Sequence, residues 1–261
     1  MDRVCLFAIL FLMLAACAAP PQIDSQAIRG IPFTTKQWLA ELPEGEFAIG
    51  ISYADPNLEA TSGAIAKDYA AVAMSRNHAS YVVDKEIFLD LANAPELDLN
   101  RLSFNVVVSA DLEFLRHCSN NLQLVDSFVS AGYFIGLYGI NKPVTISESS
   151  VELNEIPPAW YNREGVSLMD KQLNSVASSH QARLGDALNM AQEKALRQIA
   201  QYRLQNVLGK IRSINDRTDQ AIALETVTRN QECYFQRINI YQWKSGESFS
   251  YTVYVQMGAK P

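Results

Sequence analysis

The residues able to do chemistry are few and scattered. The three histidines are His78, His117 and His180, and His117 stands in the densest polar run of the chain, with Asp111, Glu113 and Cys118. On an extended strand Asp111 and Glu113 share a face, and with His117 they offer oxygen and nitrogen ligands to a divalent metal. The same residues also describe the wetted edge of a strand, which is the reading the pattern favours. Gly-x-Ser-x-Gly, Ser-x-x-Lys, His-Glu-x-x-His and glycine-rich phosphate loops do not occur, so acyl transfer, metalloprotease and nucleotide chemistry have no motif to stand on. No catalytic residue, metal or cofactor is expected. Of the four cysteines, Cys5 and Cys17 fall in the N-terminal segment, leaving Cys118 and Cys233. Neither belongs to a Cys-x-x-Cys pair, the spacing of zinc sites and dithiol redox motifs. Three readings stand for them: buried apolar thiols, a disulfide locking two halves of the chain, or reactive thiols. The disulfide requires α-carbons within about 7 Å of one another.

One cysteine has a setting that specifies a reaction. Arg3 gives a short positive start, Leu6 to Leu14 is an unbroken apolar run, and small residues lead into Cys17. That layout is a secretory signal, and the run is well short of the roughly 20 residues that cross a bilayer. Leu14-Ala15-Ala16-Cys17 resembles the processing box of bacterial lipoproteins at all four positions. The resemblance implies cleavage between Ala16 and Cys17, a diacylglyceryl group on the thiol and a further acyl chain, such as palmitate, on the freed amine. Several acyl chains hold a protein firmly where one binds only marginally. Position 18 is Ala rather than Asp, which by likeness to lipoprotein sorting in two-membraned bacteria implies the outer membrane, facing the periplasm.

Composition limits what the rest can be. The chain has 261 residues, 48% hydrophobic and 19% charged, with a net charge of -6. These are globular values with room for one large domain or two small ones. An acidic balance without a Lys/Arg cluster excludes nucleic acid as a partner, because that affinity rests on phosphate neutralisation.

The elements that must position these residues follow from periodicity. Residues 1–16 read as the signal and 17–33 as the acylated N-terminus and linker. Thr34 to Leu42 predicts a short helix capped by a threonine, and Phe47, Ile49, Ile51 and Tyr53 alternate with small residues as a half-buried strand. Glu59 to Leu91 predicts a helix, Phe104 to Ala110 a strand, and Leu122 to Val129 with Tyr133 to Ile140 a β-hairpin turning at Ser130-Ala131-Gly132. A Ser-, Glu- and Pro-rich stretch from Asn141 to Pro158 then marks a boundary. Beyond it the order recurs: a short strand at Gly165 to Met169, a helix over Val176 to Ile214 capped by Ser178 or Ser179, an extended run at Ile222 to Thr228, and a hairpin of Tyr234 to Trp243 and Phe249 to Met257 turning at Gly246. Within the helix, Glu193 and Arg197 stand at pairing distance i,i+4.

With a constant offset, Ala66, Ala70, Ala71, Met74, Val82 and Val83 fall on Ala191, Ala195, Leu196, Ile199, Val207 and Leu208. The expected architecture is therefore α+β, two tandem repeats at 34–141 and 158–258, each a long helix packed on a small antiparallel sheet that ends in a β-hairpin. Alanines on the packing face would let each helix lie close to its sheet.

Pro158, Trp160 and Tyr161, then Ala191, Ala195 and Ala200, then Gly246 with Tyr251 to Val255 carry a resemblance to the family of twenty-kilodalton outer-membrane lipoproteins, whose relatives include flagellar assembly lipoproteins. It covers mainly Pro158 to Met257 and more faintly Trp38 to Ile140, with the family's glycine-rich first strand represented by Gly50 and Gly165. The resemblance implies a non-enzymatic envelope component that assembles or supports a surface structure, with other envelope proteins or further copies of itself as partners. Tyr241 and Trp243 share one strand face and Tyr254 lies on the neighbouring strand; exposed, these rings form an interface patch, and covered, they pack beneath the other repeat. The alternative function is a periplasmic binding module for a small ligand or cell-wall fragment between the repeats. A hydrolase ranks third, since it needs a nucleophile beside a base.

Overall fold

The computed structural model describes residues 29–43, 45–55, 57, 59–88, 103–110, 112–140, 146–169, 171–214 and 222–259. Cys17 with its leader and Asp111 lie outside them. The fold is α+β, with every strand pair antiparallel.

In the first half, β3 (Phe47–Tyr53) is followed by α2 (Glu59–His78) and later by the hairpin β6 (Leu122–Ser130) and β7 (Tyr133–Ile140), giving a sheet ordered β3-β7-β6. In the second, β10 (Gln172–Gln181) is followed by α4 (Leu184–Ile214) and then the hairpin β12 (Cys233–Ser245) and β13 (Ser248–Ala259). There the last strand again pairs with the first, in a sheet ordered β1-β12-β13-β10-β9, with β1 at Arg29–Ile31 and β9 at Gly165–Met169. A two-stranded ladder joins β2 (Phe33–Lys36) to β8 (Ser150–Leu153), and a single helical turn, α1 (Gln37–Ala40), follows β2. A third sheet, β11-β4-β5, pairs β4 (Ala79–Phe88) with β5 (Ser103–Ala110) and with β11 (Ile222–Gln231) of the second half.

The strand β3 shows why the layers stack so closely. Phe47, Ile49 and Ile51 enter one core with Ile135 and Leu137 of β7, the inner face of the five-stranded sheet and the apolar stripe of α4, including Leu188, Leu196 and Ile199. Ala48, on the opposite face, joins a second core with Phe134, Tyr138, Cys118 and the α2 alanines 66, 70, 71 and 73. The strand is thus buried on both faces, not half-buried, because its small side is where α2 lands. A β-carbon on Gly50 would stand 1.9 Å from the Ala66 carbonyl oxygen. Around that contact Tyr138 Oη donates to the Gly63 carbonyl at 2.9 Å and Ser52 Oγ to that of Ser62 at 2.7 Å. In the second half Leu173, Ser175 and Ala177 are buried beside α4, and Ser175 Oγ donates to the Ala195 carbonyl at 3.0 Å. Close helix–sheet approach through small residues, expected from the alanines, is present in both halves.

Five expectations need correction. The helix from Glu59 ends at His78 and not near Leu91, because the next ten residues, rich in β-branched side chains at Val82 and Val83, pair along their whole length with β11. Val82 and Val83 therefore do not correspond to the helical Val207 and Leu208. The long helix begins at Leu184, so Ser178 and Ser179 are strand residues of β10 and not caps. Glu193 pairs across to Arg76 at 3.0 Å. Thr34 and Thr35 sit in β2 against β8, leaving only one turn of the first short helix, with Lys36 at its N-cap. The hairpins are as expected: Ala131 and Gly132, at φ 50° and 77°, make the tight turn of one, and Gly246, at φ 61°, opens the turn of the other.

Candidate functional site

The outer face of the five-stranded sheet, away from α4, collects the polar and aromatic residues that the core does not use. Its rows are set by register: Ser178, Tyr254 and Asn239 lie side by side, then His180, Thr252 and Tyr241, and Trp243 beside Ser250. The chain from Asn154 to Glu164, leaving β8 for β9, straps this face. Tyr241 Oη donates to the Asn154 carbonyl, and the Tyr161 ring meets Tyr254 edge-on at 4.7 Å. Beneath the strap Tyr241 and Tyr254 are only 4% and 8% exposed. Burial pushes both hydroxyls above their ordinary pKa. These two rings are therefore not an open patch, and the connector contributes to their cover.

Where β9 stops short, charged groups take over the work of a strand. Pairing between β9 and β10 ends at Gly165 and Val176. Ser178, two residues on, would turn its N–H and C=O toward a strand that is no longer there. Glu164 Oε1 accepts the Ser178 N–H at 3.0 Å and its hydroxyl at 2.7 Å, and Lys194 Nζ donates to the Ser178 carbonyl at 2.8 Å. Tyr161 Oη lies 2.9 Å from Ser178 Oγ. Burial works to raise the Glu164 carboxyl, but the bonds from Ser178 and Tyr161 and the charge of Lys194 outweigh it and hold the group below the usual range. The serine–carboxylate pair thus ties the strap to the end of β10.

At the far end of the face, Trp243 Nε1 donates to Thr252 Oγ1 at 2.8 Å and His180 Nδ1 lies 2.8 Å from the same oxygen. His180 is exposed and Trp243 half-buried, so one threonine fixes the orientation of an imidazole and an indole at the surface. A third polar knot sits in the first half. Asp126, at a bulge of β6, receives Lys36 Nζ at 2.6 and 2.7 Å, Trp38 Nε1 at 2.9 Å and the Ser127 N–H at 2.8 Å. Burial opposes ionisation there too, but these donors hold the carboxyl below its ordinary value.

Glu113 and His117 lie on a helix, α3 (Leu112–Asn121), and not on a strand, so they project a turn apart into solvent while Cys118 faces inward. Among the described residues no three His, Cys, Asp or Glu gather as a metal site, and no helix is long and apolar enough to cross a membrane. Cys118 and Cys233 do not form the disulfide: both are buried thiols, one in each core, on opposite sides of the β3-β7-β6 sheet. Burial, assisted by Glu46, pushes the Cys118 thiol up to about 12, and burial pushes Cys233 up to about 11.

The sequence does not single out Glu164, Thr252 or Asp126, and singles out Ser178 only as a helix cap. A lone acid inside the apolar strand Leu122 to Ser130 was the available signal for Asp126. Glu164 and Ser178 carry none, because what joins them is the place where β9 ends. Comparison with protein-family models, with curated proteins and with solved structures finds no match to this chain.

Proposed function

We propose that the chain is a lipid-anchored, periplasm-facing envelope protein of the outer membrane, non-enzymatic, that works through protein contacts in an assembly. The anchor rests on Leu14-Ala15-Ala16-Cys17. We further read the body as two copies of one strand–helix–hairpin unit. The sheet orders β3-β7-β6 and β10-β13-β12 support this, as does a common spacing. Ala48, Gly50 and Ser52 precede Leu173, Ser175 and Ala177 by the same interval that separates Ala66 from Ala191. The likeness to twenty-kilodalton outer-membrane and flagellar assembly lipoproteins points the same way.

The observation that carries the contact role is the edge strand β9. It ends the five-stranded sheet among the described residues, and its Leu168 and Met169 are 54% and 61% exposed. Edge strands of isolated proteins are usually guarded by charge or proline; an unguarded apolar edge offers backbone and side chains to another protein. The second reading, a binding module for a small ligand or cell-wall fragment, draws on the Trp243–Thr252–His180 line, whose fixed indole is suited to stacking.

The test is made in a two-membraned bacterium. Wild type is expected acylated and in the outer membrane, and Cys17→Ala soluble or unprocessed. A photo-crosslinker at position 168 is expected to capture a protein, whose mass separates a second copy from another envelope component. Identical fractionation of the two forms removes the anchor. Crosslinking only at position 180 or 243, to cell-wall material, replaces the assembly role with the binding module.

A further inference from the structure

β1 fixes where the N-terminal chain joins the body. It pairs with β12 from Arg29 opposite Lys244 to Ile31 opposite Gln242, so the chain enters at the tip of the β12–β13 hairpin and runs away from it. Cys17 and Arg29 are twelve residues apart, and that length of chain spans at most about 40 Å. A body of about 230 residues is itself about 45 Å across. A lipid on Cys17 therefore holds this tip closest to the bilayer. The opposite end of the sheet reaches the membrane only if the whole tether lies extended along the body.

The tip carries side chains suited to that surface. Arg29, Lys244 and Phe249 are exposed, Phe249 by 43%, and Trp243 is half-buried. Lys244 Nζ lies 5.6 Å from the centre of the Phe249 ring. A β-carbon on Gly30 would stand 3.8 Å from the Trp243 ring, so rings and cations share one end of the sheet. The aromatic row continues from there: Tyr251 meets Tyr133 edge-on at 5.4 Å, and Tyr133 stacks at 4.9 Å on Tyr53, which is 60% exposed. The chain as a whole has a net charge of -6, yet along β1 and the β12–β13 turn Arg29 and Lys244 stand against one carboxylate, Glu247. Aromatic rings beside Lys and Arg are the composition of a bilayer interface, where the rings enter the headgroup layer and the cations meet phosphate.

Resting on the lipid anchor read at Cys17, we propose that the tip formed by Arg29, Trp243, Lys244 and Phe249 seats on the surface of an anionic phospholipid bilayer. Arg29 and Lys244 pair with headgroup phosphates, and Phe249 enters the layer beneath them. The short tether keeps formed a small contact that would not hold a free protein. This orientation also turns the edge strand β9 away from the lipid. Leu168 stands opposite Leu173, which pairs with Ala259 on its other side, and Ala259 is eleven residues along β13 from Ser248 at the tip, about 35 Å. The exposed Leu168 and Met169 are thus presented to the periplasm.

The test uses the full acylated chain in vesicles of phosphatidylethanolamine and phosphatidylglycerol. A nitroxide is placed on Ser248→Cys at the tip or on Gln172→Cys at the far end; Cys118 and Cys233 are buried and stay unlabelled. Oxygen concentrates in the bilayer and a nickel chelate in water, so the ratio of their collision rates with the label reports depth. That ratio is expected to be several-fold higher at position 248 than at 172. Adding Arg29→Glu, Lys244→Glu and Phe249→Ser together is expected to lower it at 248 to the value at 172. Equal ratios at the two positions, or a label at 248 shielded from both reagents as a protein contact would leave it, overturn the seating while the anchor stands. An unchanged ratio in the triple variant overturns it too, and the comparison of positions 248 and 172 decides whether or not that variant folds. The mass of the same sample reports acylation separately: an unmodified Cys17 removes the anchor, and the seating with it.

Discussion

The carbonyl oxygen of Ala66 lies 1.9 Å from where Gly50 would carry a β-carbon, so the α2 helix rests on the backbone of β3 with no side chain between them. The obstacle is backbone, which cannot rotate aside. Gly50→Ala is therefore expected to push α2 off the sheet and to cost about 3 kcal/mol or more, at the upper end of overpacking. Urea unfolding at neutral pH measures it, and a loss below about 0.5 kcal/mol would show that the helix yields. Gly132→Ala makes the useful contrast. Nothing lies within 4 Å of its missing β-carbon, and only its φ of 77° resists, so the cost there should stay near 1 kcal/mol.

Asp126 ties β6 to β2 and α1 through Lys36 and Trp38. Asp126→Asn keeps the shape and removes the charge, and is expected to cost about 1.5–3 kcal/mol, the range for hydrogen bonds to a charged group. The pH dependence has a definite sign. The folded-state pKa lies below the unfolded value, so the contribution is whole above the ordinary carboxylate range and is lost as pH falls through the folded pKa. Unfolding midpoints of wild type and Asp126→Asn should converge only in that acid window. Convergence near neutrality would mean the carboxylate is not the source.

Cys118 and Cys233 should be silent in the folded protein. With thiol values near 12 and 11, the thiolate fraction at pH 8 is on the order of one in a thousand or less. Ellman's reagent is expected to leave both untouched under native conditions and to titrate both in guanidinium, with no change on prior reduction. A fast-reacting thiol in the native protein would contradict their burial.

What was legible in the sequence is what local geometry decides. An extended apolar run over Tyr133 to Ile140 and clean alternation over Tyr251 to Met257, with Gly132 and Gly246 between strands, read as hairpins. The α2 end was not legible, because Tyr81, Val82 and Val83 continue a helical count. What turns them into a strand is β11, far along the chain. Ser175 to Ser179 misled for the opposite reason: a run of serine and alanine suits a helix start, but here the small side chains are what α4 needs beneath it. At the site, period two correctly placed Tyr241 and Trp243 on one face. Part of their cover comes from a proline-rich connector without periodicity, which no pattern announces.

That connector gives the last prediction. Glu164 holds the strap by standing in for a missing strand at Ser178, and Tyr161 closes over Tyr254 behind it. Glu164→Gln keeps an acceptor for the Ser178 N–H but removes the charge that draws Lys194 and the hydroxyls together. Exposed charged contacts contribute about 1 kcal/mol or less, so global unfolding should hardly change while residues 154–164 open locally. Hydrogen exchange followed by mass spectrometry should show faster exchange confined to that segment, with β12 and β13 protected as before. Because the Glu164 carboxyl is held low, wild type should reproduce the variant's opening only as pH falls below the ordinary carboxylate range. Unchanged exchange in the strap, or loss of protection across the whole sheet, would mean that Tyr254 and Tyr241 hold the connector without Glu164.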